Sequence, residues 1–182
     1  MVGYVWRALA VLLILAASAT AQTPAPQALV DAMTERLALM EPVARYKWNA
    51  GRPIEDLARE QVVLDKVVES AGAAGVDVDF ARSFFQAQIA AAKEIQQRNF
   101  DRWAANGQGK FAQVRDLNSD LRPAIIALTG RVIAELKRLP GVQATEICRS
   151  LAPPSAALAE DQAAWRLAVQ PLRDLAGGCG AG

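Results

Sequence analysis

The chain predicts an all-α domain, and three observations carry that reading. Ala and Leu lead the composition with Arg and Gln frequent, β-branched runs are short, and apolar residues recur at intervals of three and four, the spacing of one helical face. The 182 residues are 52% apolar, with only 12 Gly and 9 Pro. That is enough to build one compact domain with a real core, and it is unlike a disordered chain.

Residues 1–21 stand apart from the fold. Arg7, an apolar run from Ala8 to Ala17, and Ala19-Thr20-Ala21 before Gln22 make up a basic start, an apolar stretch and an Ala-x-Ala cleavage pattern, the parts of a secretory signal. The run is well short of the roughly 20 residues a spanning helix needs. The expectation is a signal over 1–21 and one helical domain over 22–182, periplasmic or secreted after cleavage near Ala21 and not held by a membrane.

The first helix is expected from about Pro26 to Asn49, striped by Leu29, Met33, Leu37, Met40, Val43 and Ala44. Pro42 lies inside it and predicts a kink or local break. Gly51 and Pro53 end it, and Asp56 is placed to cap a second helix over about Glu55 to Ala74, which Gly75 stops. Asp77 or Asp79 starts a third, to about Trp103, with Phe80, Phe84, Phe85, Ile89 and Ile95 on its stripe. A polar, glycine-bearing loop over about 105–113 precedes a fourth helix, about Leu117 to Leu139, ended by Pro140-Gly141. Two shorter helices follow, near Thr145 to Leu151 and Ser155 to Leu175. The whole is a bundle of about six helices.

Cys148 and Cys179 are the only cysteines. An even number in an exported chain reads as an intramolecular disulfide, worth roughly 3 to 4 kcal/mol for a loop of about 30 residues; two buried thiols are the other reading. No CxxC occurs and His is absent, which argues against zinc sites and His-based acid–base or triad chemistry. Removing Arg7 from 20 Lys and Arg leaves 19, against 19 Asp and Glu. No global basic field favours nucleic acid.

Some charges nevertheless sit oddly for a solvated face. Arg36 and Lys47 are eleven residues apart, about 20° short of or beyond three full turns, so on an unbroken helix they share a side. Arg36 adjoins the apolar stripe of Met33, Leu37 and Met40. Asp56, Arg59 and Glu60 stand at i, i+3 and i+4 and form a second cluster. Taken singly, each group is an ordinary charged face with intrahelical pairs worth a few tenths of a kcal/mol. On that plain reading the chain is an exported helical binding protein or periplasmic chaperone without catalytic activity.

Taken together, "ERL" at 35–37, "YKW" at 46–48, "PIEDLARE" at 53–60, "QIAAAKEIQ" at 88–96 and "LTGR" at 128–131 resemble the exported, gamma-subclass chorismate mutases of the all-α AroQ type. The likeness spans about a hundred residues, and the C-terminal cysteine pair resembles a disulfide of this subclass. The resemblance implies an isomerase that turns chorismate into prephenate by an intramolecular Claisen rearrangement, with no cofactor and no metal. It implies Arg36, Arg59 and Arg131 as holders of the two carboxylates, a role suited to planar, permanently charged guanidinium groups. It further implies Lys47 and Gln96 as donors to the ether oxygen, and Glu60 with the Asp56 region as acceptors of the ring hydroxyl. Read from the residues alone, Gln96 is also a plain surface amide and Arg131 a partner for Glu135 at i+4.

Two positions depart from the family pattern. Ala92 stands where relatives commonly carry a polar residue, and the loss of one neutral hydrogen bond, about 0.5 to 1.5 kcal/mol, implies weaker binding. Val63 is likewise apolar. Homodimers are common in this subclass, an arrangement the sequence itself does not show.

Overall fold

A computed structural model describes residues 24–152 and 161–179. The expected signal over 1–21, with its cleavage pattern at Ala21, and the expected helix start at Ser155 lie outside the described residues. Among the described residues the chain is all helical: α1 Ala25–Ala38, α2 Met40–Ala50, α3 Leu57–Ala74, α4 Val78–Ala105, α5 Arg122–Leu136, α6 Ala144–Ser150 and α7 Gln162–Leu175, with a π turn Leu117–Leu121 leading into α5. None of these helices is long and apolar enough to cross a membrane.

The expected first helix is present as two. Pro42 has no N–H for the carbonyl four residues back, Ala38, and its ring crowds that carbonyl. The chain therefore turns at Leu39, whose N–H bonds the Arg36 carbonyl at 3.3 Å, and restarts as α2. The break falls three residues before the proline because the lost bond lies there. Elsewhere the end signals act as expected. Asp56 caps α3 by accepting from the Arg59 N–H at 3.0 Å, and Asp77 caps α4 through the Phe80 N–H at 2.7 Å. Gly51 and Gly75 close α2 and α3 in the left-handed region, at φ 62° and 76°, where glycine has no side chain to clash. The fourth expected helix differs at both ends: a π turn replaces its first turn, and it stops at Leu136.

The 28-residue α4, about 42 Å long, is the spine of the bundle. It packs against α7, α3 and α2, while α1 packs on α5 and α6 bridges α1 to α7. The core joins these layers through Leu29, Met33 and Leu37, Phe84 and Phe85, Val132, and Trp165, all fully buried. Each such side chain contributes about 1.5 to 3 kcal/mol by leaving water. Cys148 of α6 is bonded to Cys179 just past α7, with Cα atoms 5.4 Å apart, as the cysteine count predicts.

The loop between α4 and the π turn is held by side chains the sequence does not advertise. Asn49, near the end of α2, brackets Phe111, donating to its carbonyl and accepting from its N–H at 2.8 Å each. Trp48 donates to the Gly109 carbonyl at 3.2 Å and meets Phe100 and Trp103 edge to face. These ties set where the chain re-enters the bundle at Leu117.

Candidate active site

A cavity of about 420 Å³ opens between the α1–α2 pair, α3, α4 and α5. Six cations line it, Arg36, Lys47, Arg59, Lys66, Lys93 and Arg122, against two acids, Asp56 and Glu60. Most of the remaining wall is apolar, including Met40, Val43, Ile89, Ile125 and Ile133. Low-dielectric walls around an excess of positive charge make a site for a small organic anion, because fields are focused where water is thin.

Arg36 is the strongest local signal. Its side chain is 4% exposed, with Nη1 3.5 Å from the Gln88 carbonyl and the guanidinium 6.0 Å from the Phe85 ring centre. Its Nε has no hydrogen-bond partner, and no carboxylate among the described residues pairs with it. Burial pushes its pKa down to about 10, so the group stays charged at neutral pH while lacking a counter-ion. Buried charges are ordinarily paired. The missing partner is one a ligand carboxylate would supply.

Lys47 reaches the cavity from α2. The Pro42 break does not separate it from Arg36: both line the same space. Its ammonium donates to the Ile54 carbonyl at 2.6 Å. Burial lowers its pKa, Asp56 and Glu60 oppose that shift, and Arg122 and Lys93 add to it. Ile54 belongs to the strap of residues 51–56 between α2 and α3, and the strap delivers the second charge cluster. Asp56 caps α3, Arg59 follows one turn in, and Glu60 closes the loop by accepting from the Asp56 N–H at 3.4 Å and from Lys93 Nζ at 3.1 Å. All three side chains line the cavity.

From α4, Ala92, Lys93 and Gln96 face in. The Gln96 amide nitrogen donates to the Ala92 carbonyl one turn back at 3.0 Å and lies 4.0 Å from the Met40 sulfur, while its carbonyl oxygen is buried without a partner. An amide nitrogen has two N–H groups, and a thioether is a weak acceptor, so one donor remains available to a better oxygen. Ala92 offers the cavity only a methyl group.

The structure brings together Arg36, Lys47, Asp56, Arg59, Glu60 and Gln96, but not Arg131. Arg131 sits on the outer side of α5 with its side chain 52% exposed, in a two-pronged pair with Glu35 of α1; Glu135, its alternative partner in the sequence, is held by Arg138. The arginine that α5 does turn inward is Arg122. The two are nine residues apart, about two and a half turns, so they emerge on opposite sides. Arg122 is bonded to Asn118 of the π turn, an irregular helical feature of a kind that concentrates at functional sites. The Arg122-Pro123 pair at a helix start, next to the buried Leu121, was the available signal. Lys93 was also missed; it reads as an ordinary polar position within "QIAAAKEIQ".

The sequence pattern of the family described as "Chorismate mutase type II" matches residues 27–97, the part of the chain bearing Arg36, Lys47, Arg59 and Gln96. The chain is 36% identical over 108 residues to the secreted chorismate mutase of Mycobacterium tuberculosis, covering 59% of this chain and 54% of that protein. It is 31% identical over 132 residues to the secreted chorismate mutase of Mycolicibacterium smegmatis, covering 72% of each. The crystal structure of chorismate mutase from Burkholderia thailandensis shares the fold with a TM-score of 0.73 at 34% identity, covering 82% of this chain and 99% of that one. The matched region thus spans about half the length of the first of these relatives.

Proposed function

The chain belongs to the chorismate mutase family, and from that membership we propose that it catalyses the Claisen rearrangement of chorismate to prephenate outside the cytoplasm, with residues 1–21 as its export signal. The observation that carries the reading is the buried, counter-ion-free Arg36 facing a cavity with six cations and two acids. Chorismate is a dianion, of the sign such a cavity attracts. The reaction needs no covalent intermediate and no obligatory proton transfer, so a site without His is sufficient.

Catalysis then has two parts. The first is conformational: the substrate reacts from a compact conformer, and carboxylate holders on different walls fold it, turning an improbable geometry into the bound one. Arg36 from α1, Arg59 from α3 and Arg122 from α5 take this task, with Arg122 in the place first expected of Arg131. The second is electrostatic. As the C–O bond of the enol ether breaks and the new C–C bond forms, negative charge grows on the ether oxygen. Lys47 and the available Gln96 N–H are the donors for that charge, and a preorganised donor contributes about 3 to 4 kcal/mol. Glu60 and Asp56 are the acceptors for the ring hydroxyl.

Chorismate consumption followed by absorbance, together with titration of a bicyclic transition-state analogue, tests the proposal. A catalyst turns over chorismate and binds the analogue much more tightly than substrate. Equal, tight binding without turnover would identify an exported carboxylate-binding protein, and no binding of either would return the chain to the partner-binding or chaperone reading.

A further inference from the structure

Lys93 has no role in the catalysis just described, yet its ammonium lies 3.1 Å from Glu55 Oε1 and 3.1 Å from Glu60 Oε2. Glu55 is in the 51–56 strap and Glu60 in the first turn of α3, so one lysine on α4 ties both to the spine of the bundle. Glu60 has a competing attraction. It is close enough to Lys47 to favour that ammonium electrostatically, and among the described residues the only other group bonded to the carboxylate besides Lys93 is the backbone N–H of the capping Asp56, at 3.4 Å. A Glu60 carboxylate that swung onto Lys47 would occupy the donor the reaction needs.

We propose that Lys93 is a positioning residue, which keeps Glu60 and the strap on the α4 side of the cavity and thereby leaves Lys47 able to transfer its bond from the Ile54 carbonyl to the ligand. The proposal rests on the chorismate mutase reading for its kinetic consequences and on geometry alone for its structural one. It also accounts for the two lysines sharing the strap, Lys47 on Ile54 and Lys93 on Glu55. When an anion draws Lys47 away, Lys93 still holds the strap.

The charged groups facing Lys47 are Asp56 and Glu60 from the start of α3, Arg122 from α5 and Lys93 from α4. Removing Lys93 takes away a repelling cation and sends Glu60 toward Lys47; both changes raise the Lys47 pKa. For Lys93→Met, kcat should fall about tenfold, since small misplacements of reacting groups are costly, and the alkaline limb of the kcat/KM profile should move to higher pH. Lys93→Arg should restore both. A general loss of folded protein would scale the rate without moving the limb, and Lys93→Gln provides a polar second variant. Hydrogen exchange gives an independent readout, with the amides of Asp56 and Arg59 exchanging faster in Lys93→Met. Wild-type kcat with an unmoved limb, or a loss that arginine does not rescue, would overturn the proposal. If the unaltered protein does not turn over chorismate, the functional reading fails, and the exchange rates alone decide: unchanged rates at Asp56 and Arg59 reject the positioning role.

Discussion

Lys47 Nζ lies 2.6 Å from the carbonyl oxygen of Ile54, so the ammonium lining the cavity is already hydrogen-bonded to the strap between α2 and α3. This bond keeps the donor oriented before a ligand arrives, and a negatively charged oxygen is a stronger acceptor than a neutral carbonyl. Lys47→Ala should therefore lower kcat at least about a hundredfold, the scale of one preorganised donor. Its melting temperature should change little, since one hydrogen bond is lost while a half-buried charge is removed. Steady-state kinetics beside a thermal melt checks both; an equal loss of folded protein and of rate would assign Lys47 to the fold instead.

The pH dependence follows from the same residue. Burial lowers the Lys47 pKa, and the charged form, which donates, is the acid form, lost as pH rises through the folded-state value. Gln96 donates at any pH. The rate should be nearly flat from about pH 5 to 8 and fall on the alkaline side, at lower pH than an ordinary lysine titrates. Because the dianion raises the Lys47 pKa, the alkaline limb of kcat should lie above that of kcat/KM, which reports the unliganded protein. A steep loss between pH 5 and 7 would mean that a carboxyl group must be protonated, contradicting Gln96 as the donor.

Arg36 should show a conflict between stability and function. Burial holds the Arg36 pKa down at about 10, well below the ordinary arginine value, a cost on the order of 3 kcal/mol for carrying the charge at neutral pH. The sign is that of a depressed base: the cost is present below about pH 10 and is relieved as pH rises from there toward the ordinary arginine value. Arg36→Met keeps length and removes the charge, and replacing an unpaired buried ion by an apolar side chain is stabilising. The melting temperature without ligand should rise, while kcat/KM falls at least about a hundredfold. A lower melting temperature in Arg36→Met would show that the guanidinium is satisfied within the fold.

Arg122 and Arg131 separate cleanly. Arg122→Ala should reduce kcat/KM by about a hundredfold, as loss of a charged ligand contact does. Arg131→Ala should leave the kinetics within about twofold and cost no more than about 1 kcal/mol in stability, the range of an exposed ion pair. Paired kinetics and urea melts of the two variants test this, and a reversed order would return the carboxylate role to Arg131.

Much of this molecule follows from local chemistry. The periodicity, the caps at Asp56 and Asp77 and the stops at Gly51 and Gly75 act over one or two turns, so each could be read from neighbours in the chain. The same holds for the cluster of Asp56, Arg59 and Glu60 on one turn of α3. The eleven-residue relation of Arg36 to Lys47 also survived, even though the helix that justified it is broken at Leu39, because the break bends the pair without turning either side chain out of the cavity.

What lay beyond the sequence are the choices made between distant segments. Arg122 and Arg131 are chemically alike and share one helix; which faces the cavity depends on how α5 is rotated, and that is set by the π turn and by α1, where Glu35 captures Arg131. Lys93 acquires its two carboxylates only when the strap folds back over α4, across 38 and 33 residues of sequence. Local signals specify the helices, the disulfide partners and the charges a site would need. Which cations converge is a matter of tertiary packing, because side-chain direction on a helix is settled by the packing of its apolar face and not by the charges it carries.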